Sequence, residues 1–281
     1  MRVLALLDGT LLDPDGCHIR VDDLGLLRGD GVFETVLVVD GRPRELGPHL
    51  RRLARSARML DLPAPDLAAW ERTCGLVVDE WPAAGEMALK LVYTRGPEFG
   101  DGSTTAYVLG LPITESQLAA RVSGVSAVTL ARGFDPAIAA AAPWLLLGAK
   151  TLSYAVNMAA SRHANALGAD DVIFTAADGT VLEGPMSTAV VVQGRVLRTT
   201  PPSSGVLEGT TQGALFRAAE RAGWTTRVEA IPVADLWTAD AVFLASSVRK
   251  ITQVRVLDGV ELTHQPDLHA ELMALHESEY V

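Results

Sequence analysis

The chain has 281 residues, 48% hydrophobic and 21% charged, which suits one large or two modest soluble domains with a sizeable core. A formal net charge of −10 argues against a general nucleic-acid or anionic-membrane partner, because both reward clustered Lys and Arg. Its two cysteines, Cys17 and Cys74, share no ligand spacing, so neither a disulfide framework nor a metal centre is expected.

In chain order, RVLALL reads as a first strand ending in the Asp8-Gly9 turn, too short a hydrophobic run for a secretory signal. GVFETVLVV is a second strand, closed by the hairpin signal Asp40-Gly41. GPHLRRLARSARMLDL carries Leu50, Leu53, Ala57 and Leu60 at helical spacing and stops at Pro63. DLAAWERTCGLVVDEW is a second helix, followed by the strands MALKLVYTRG and TAYVLGLP. Periodicity weakens after residue 112, so 113–124 reads as a connection between a smaller α/β domain, 1–112, and a larger one, 125–281, that holds Lys150.

Beyond the connection come VSAVTLAR, the Lys150 region and a helix in SYAVNMAASRHANALG. Two hairpins follow, in DVIFTAADGTVLEG and TAVVVQGRVLRT. LEGTTQGALFRAAERAGW is a helix between Thr210 and Gly223; TTRVEAIPV, DAVFLASS, ITQVRVLDG and a terminal helix complete the chain. The apolar stretch around 137–149 is broken by Pro143 and falls short of a membrane span, so a cytoplasmic protein is expected. The fold class is α/β, mixed with α+β features, as two lobes with a cleft near Lys150.

Lysine is scarce: Lys90, Lys150 and Lys250 stand against twenty-one arginines. Lys150 follows Trp-Leu-Leu-Leu-Gly-Ala and is either a snorkelling side chain or a nucleophilic amine, a role arginine cannot fill. Glu183, before Gly184-Pro185, is a surface carboxylate or a buried partner for a cation. Thr210 and Thr211 after Gly209 form a helix cap or an anion site. The arginines of HLRRLARSA, and Ser246 and Ser247 in FLASSVRK, are further anion contacts or solvated residues. Ser247–Lys250 also fits the Ser-x-x-Lys motif of penicillin-binding enzymes, but in the wrong order along the chain.

The ordered set LLRGDGVFET, HLRRLARSA, LVYTRG, KTLSYAVN, VLEG, VLEGTT and FLASSVRKITQV resembles the fold-type IV pyridoxal-phosphate enzymes and spans nearly the whole chain. That family comprises branched-chain and D-amino acid aminotransferases and 4-amino-4-deoxychorismate lyases. The resemblance implies a two-domain homodimer binding pyridoxal 5'-phosphate, with Lys150 as the Schiff-base and proton-shuttle residue and Glu183 as partner of the pyridine nitrogen. It further implies phosphate contacts from Arg52, Thr210, Thr211, Ser246 and Ser247, and packing of Leu207 on the cofactor ring.

The chain departs from the family at several positions. Thr188 replaces an Asn common five residues after the Glu, and Arg28 replaces an aromatic residue before Gly-Asp-Gly. Ala155 stands where branched-chain enzymes have Tyr, with Tyr154 one position earlier. TRGPEFGDGST, 94–104, lacks the Arg and His with which D-amino acid enzymes trap a carboxylate, and reads as a Gly-rich lid. Arg28, Tyr93, Arg95 and Arg249 are the candidate substrate contacts. These departures favour the lyase, with an aminotransferase as the alternative.

Overall fold

The computed structural model describes residues 1–280 and divides into two compact units, Met1–Thr114 with Ala149–Tyr154, and Glu115–Gly148 with the chain from Ala155 onward. In the first unit, β1 (Val3–Leu6), β2 (Leu11–Leu12), α1 (Leu24–Arg28), β3 (Gly31–Val39) and β4 (Arg42–Pro43) are followed by α2 (Leu46–Met59) and α3 (Leu67–Asp79). Strands β5 (Glu86–Thr94) and β6 (Thr105–Pro112) complete it. The strands form one antiparallel sheet in the order β2-β1-β6-β5-β3-β4. Asp40 and Gly41 both take positive φ, 49° and 73°, as a two-residue hairpin of the sheet's twist requires.

Strand parity sorts this sheet's side chains. Val32, Glu34 and Val36 of β3, with Leu89, Leu91 and Tyr93 of β5, occupy the buried face. Helices α2 and α3 supply Leu50, Leu53, Trp70 and Val77 to the same core. Gly110 of β6 must lack a side chain, since a Cβ there would lie 2.8 Å from Met87 and 2.9 Å from Val77. The opposite face carries Phe33, Thr35, Lys90, Val92, Tyr107 and Leu109 and is covered less completely: Thr35, Lys90, Tyr107 and Leu109 are all half-buried.

The second unit contains α4 (Glu115–Ser123), β7 (Val125–Ala131), α5 (Ile138–Ala141), α6 (Ala155–Ala166), β8 (Asp171–Thr175), β9 (Thr188–Gln193), β10 (Val196–Thr199) and α7 (Thr210–Arg221). After these come β11 (Thr225–Val228), α8 (Asp235–Thr238), β12 (Ala241–Ser246), β13 (Lys250–Leu257), β14 (Val260–Glu261) and α9 (Pro266–Ser278). Its sheet runs β11-β10-β9-β12-β13-β7-β8, with β14 on β13. Alternation again divides the core. Ala189, Val191, Val242 and Leu244 face one cluster with Ala120 of α4, and Val190, Val192, Phe243 and Ala245 face another under α7 and α9.

Two expectations about organisation change. The stretch 113–124 is not irregular: it holds α4, whose Ala120 is buried in the second unit's core. Lys150 does not group with 125–281 but with the first unit, because Ala149–Tyr154 runs along the edge of β3. The amide of Phe33 donates to the carbonyl of Lys150 (3.0 Å), that of Leu152 to Gly31 (2.8 Å), and that of Lys150 to Ser56 Oγ (3.0 Å).

Candidate active site

In the first unit, those three hydrogen bonds fix the backbone on both sides of Lys150. Its ammonium sits 4.6 Å from the centroid of the Phe33 ring and 5.9 Å from that of Tyr154. The two rings meet edge to face at 5.1 Å. Tyr154, one residue before Ala155, thus shares with Phe33 the contact to this ammonium.

On the buried face of β3, Glu34 is completely shielded from solvent and gathers two residues of α2. Arg52 Nε donates to Oε1 at 2.7 Å and Nη2 to Oε2 at 2.7 Å, while His49 Nδ1 lies 2.7 Å from Oε2. Burial pushes the Glu34 carboxyl up, but the charge and hydrogen bonds of Arg52, then of His49, outweigh it and hold the carboxyl well below its ordinary range. His49 is lowered by burial, against the pull of Glu34 and with the charges of Arg52 and Lys150 acting in the same direction as burial. At neutral pH the cluster is thus a carboxylate, a guanidinium and a neutral imidazole. Arg52, expected to meet a phosphate, is a fixed guanidinium whose plane Glu34 sets.

The candidate substrate residues fare differently. Tyr93 is withdrawn: by strand parity it points into the core, 6.2 Å from Trp70 ring to ring, and its hydroxyl donates to the carbonyl of Pro63 at 2.9 Å. Arg95 is withdrawn because Nε and Nη2 are held by Asp30 at 2.6 and 3.2 Å, and Nη2 and Nη1 reach the carbonyls of Leu60 and Asp61. Arg28 is exposed at the end of α1, and the following Gly29 (φ 68°) packs against Ser153 so closely that a Cβ would lie 2.5 Å from its Oγ. This brings Arg28 to the Lys150 segment.

The stretch 94–104 is pinned at its stem and does not read as a free lid. Buried Asp23 accepts from Thr94 Oγ1 (2.9 Å), Thr105 Oγ1 (2.5 Å) and the amide of Gly25 (2.8 Å). The amide of Glu98 donates to Asp22 and that of Leu24 to Gly96.

In the second unit, Glu183 and Leu207 come together: the Leu207 amide donates to Glu183 Oε2 at 3.1 Å. Two residues on, Gly209 precedes α7 in an extended conformation and makes no side-chain cap. A Cβ at Gly209 would lie 2.3 Å from Thr188 Oγ1. Gly209→Ala is expected to destabilise the protein by about 1–3 kcal/mol, and Thr188→Ala in the same chain to recover part of it; thermal melts check both. A cavity of about 250 Å³ lies beside this turn, lined among others by Thr188, Leu207, Gly209 and Gln212. Ser187 Oγ, near Glu183 in the chain, is buried with no hydrogen-bond partner among the described residues.

Ser246 ends β12 and pairs with Lys250 across a tight turn that contains Ser247. Three charged groups clamp this turn. Arg121 of α4 donates to the Val248 carbonyl (Nε, 2.9 Å), Arg249 Nη2 donates to Asp171 at 2.5 Å, and Lys250, at φ 56°, pairs with Glu277 of α9 at 2.7 Å. Arg249 is therefore part of the clamp, a correction to its expected contact with substrate.

Glu34 and His49 are not among the candidate site residues the sequence offers. The available signal for Glu34 was an acid inside the apolar strand GVFETVLVV.

The amino-transferase class IV family model matches residues 31–257. The chain belongs to the class IV aminotransferases. Among relatives of this family, the bifunctional aminodeoxychorismate lyase / D-amino acid transaminase of Mycobacterium tuberculosis is 46% identical, with 96% of this chain and 97% of that protein covered. A hypothetical aminotransferase of Mycobacterium tuberculosis, solved in a PLP-bound form, superposes with a TM-score of 0.95 at 45% identity, covering 98% of each chain. A fold IV transaminase from Curtobacterium pusillum gives 0.93 at 41% identity, over 98% of this chain and 99% of the other. This class IV chain is an enzyme of the lyase or transaminase type with the mixed α/β fold of those structures.

Proposed function

We propose that this class IV enzyme is a pyridoxal-phosphate-dependent 4-amino-4-deoxychorismate lyase, which releases pyruvate to give 4-aminobenzoate for folate synthesis. The observation that carries the reading is the fixed Lys150 amine on Phe33 and Tyr154 in a chain so similar to a protein named for that lyase activity. Within the second unit the residues fit the cofactor: α7 starts without a side-chain cap, and the buried Ser187 hydroxyl, four residues after Glu183, has no hydrogen-bond partner among the described residues, features that suit a phosphorylated, ring-nitrogen-bearing group.

Arg52, Thr210, Thr211, Ser246 and Ser247 would hold the phosphate, Glu183 the ring nitrogen, and Leu207 the ring face. When bound, pyridoxal phosphate supplies an electron sink for negative charge at the amine-bearing carbon. Lys150 Nζ would hold the cofactor and, as a free amine once substrate is bound, would take the proton from the amine-bearing carbon. Glu183 would pair with the ring nitrogen, and Arg28 would meet a substrate carboxylate. Loss of the enolpyruvyl group as pyruvate leaves an aromatic ring; every atom of substrate appears in the two products, with no second amino acid needed.

We further propose that the enzyme works as a homodimer in the cytoplasm; exposed Val21, Leu26 and Phe99 of the first unit are apolar side chains that a subunit contact would cover. No helix among the described residues is long and apolar enough to cross a membrane. The second reading is a D-amino acid transaminase, favoured by the other half of the same relative's name. Incubation with 4-amino-4-deoxychorismate tests the lyase: 4-aminobenzoate and pyruvate in equal amounts are expected. Turnover of D-alanine with 2-oxoglutarate, and no 4-aminobenzoate, would leave the transaminase.

A further inference from the structure

In the second unit, the end of α9 is tied to both elements assigned above to the cofactor phosphate. Glu277 of α9 pairs at 2.7 Å with Lys250, the residue that closes the turn holding Ser247. Two positions on, Glu279 pairs with Arg217 of α7 at 3.2 Å and also with Arg221 of the same helix. Earlier in α9, His269 Nε2 lies 2.8 Å from the carbonyl oxygen of Ile251, the residue after Lys250. Leu272 belongs to one buried cluster with Leu215 and Phe216 of α7, Phe243 of β12 and Ile251 of β13.

The turn and the start of α7 are neighbours. Ala245, just before Ser246, pairs with Thr188 of β9, and Gly209, just before Thr210, packs on the same Thr188. Ser247 and the Thr210–Thr211 pair therefore sit at one end of this unit, on two separate segments of chain. Lys250 is a costly residue for the turn. It is buried, and its φ of 56° is one that L side chains adopt only under strain. Glycine would take that backbone without strain, and an apolar side chain would take the burial without an ammonium to desolvate. What the lysine adds is its charge, and Glu277 receives it. Strain of this kind persists where the surroundings over-determine a position, as Arg121, the Arg249–Asp171 pair and Glu277 do here from three elements.

We propose that Lys250, through its ion pair with Glu277, is a positioning residue for the cofactor phosphate. The end of α9 holds the Ser247 turn by Glu277 and α7 by Glu279, and so fixes the spacing between the two sets of phosphate contacts. The proposal rests on the reading that these two elements hold the phosphate. Lys250 acts through the turn: its ammonium is engaged by α9. The group served is a phosphate monoester. Its hydrogen bonds weaken steeply when donors move out of line, and a cradle set in advance spares the cost of ordering it on binding.

Absorbance titration of the full-length enzyme, stripped of cofactor, with pyridoxal phosphate and with pyridoxal isolates the phosphate's share of binding, because the two ligands differ only by that group. Glu277 is partly exposed, so Glu277→Gln tests the pair with little risk to folding, and Lys250→Met removes the other partner. Each variant is expected to raise the Kd of pyridoxal phosphate about tenfold, equivalent to about 1.4 kcal/mol, and that of pyridoxal by less than about twofold. The double variant is expected to lose no more than the larger single loss, as for one shared contact. A ratio of the two Kd values unchanged from wild type, whether both ligands weaken together or neither does, overturns the proposal and leaves the pair a purely structural one. A wild type that binds pyridoxal as tightly as pyridoxal phosphate would instead overturn the phosphate reading itself, and the positioning role with it.

Discussion

Glu34→Ala is expected to cost about 3–5 kcal/mol of folding stability, the largest single loss from any carboxylate in the first unit. The substitution leaves the buried Arg52 guanidinium without the carboxylate that accepts from both Nε and Nη2, and removes the partner of His49 as well. Glu34→Gln retains the volume and one acceptor, so a smaller loss is expected. Chemical denaturation at pH 7 measures both.

The cluster also sets the direction of the pH dependence. Both Glu34 and His49 have folded values below their ordinary ones of 4.5 and 6.5. In each case the unfolded chain binds more protons as pH falls, so stability is full above those ordinary values and declines below them. The His49 part is lost first, as pH drops through 6.5, and the Glu34 part below 4.5. Melting curves between pH 7 and pH 4 are expected to shift steadily downward, and Glu34→Gln to flatten the lower part of that shift. A melting temperature that rises on acidification would contradict the charge states assigned to the cluster.

Lys150→Arg is expected to lower kcat by about 10³-fold or more while leaving the fold intact. The arginine keeps a cation over Phe33 and Tyr154, so packing changes little, but a guanidinium does not deprotonate and cannot attach the cofactor or take a proton. Borohydride reduction of the wild type followed by peptide mapping should find pyridoxal phosphate on the peptide containing Lys150, and Lys150→Arg should show no such adduct. An adduct on Lys90 or Lys250, or substantial turnover by Lys150→Arg, would move the reaction to another amine.

Much of this site was legible in sequence because its signals are local. Gly209-Thr210-Thr211 announces a helix start within three residues, and the structure adds that Gly209 carries no competing cap. Lys150 stood out by scarcity, and Asp40-Gly41 by turn chemistry. What failed was tertiary. Tyr93 and Lys90 lie three residues apart on β5 and face opposite ways, but Leu89, Leu91, Val92 and Tyr93 are all buried, so the strand lacks the alternation that would tell the two faces apart.

The engagement of Arg95 by Asp30 and of Arg249 by Asp171 joins residues 65 and 78 positions apart, which no local pattern encodes. The polar start of α4 hid a helix with one buried residue, Ala120. Lys150 joined the first unit through edge pairing with β3, more than a hundred residues earlier in the chain. Glu34 was the missed opportunity: an acid in the middle of a buried strand is costly enough to require a cation nearby, and HLRRL offered one.

The most direct measurement compares kcat/KM for 4-amino-4-deoxychorismate with that for D-alanine plus 2-oxoglutarate on one preparation of holoenzyme, with Lys150→Arg as the blank. The lyase reading predicts the higher value for 4-amino-4-deoxychorismate, with 4-aminobenzoate and pyruvate formed one for one and both lost in Lys150→Arg. A higher value for D-alanine, with no 4-aminobenzoate above the Lys150→Arg blank, would contradict it.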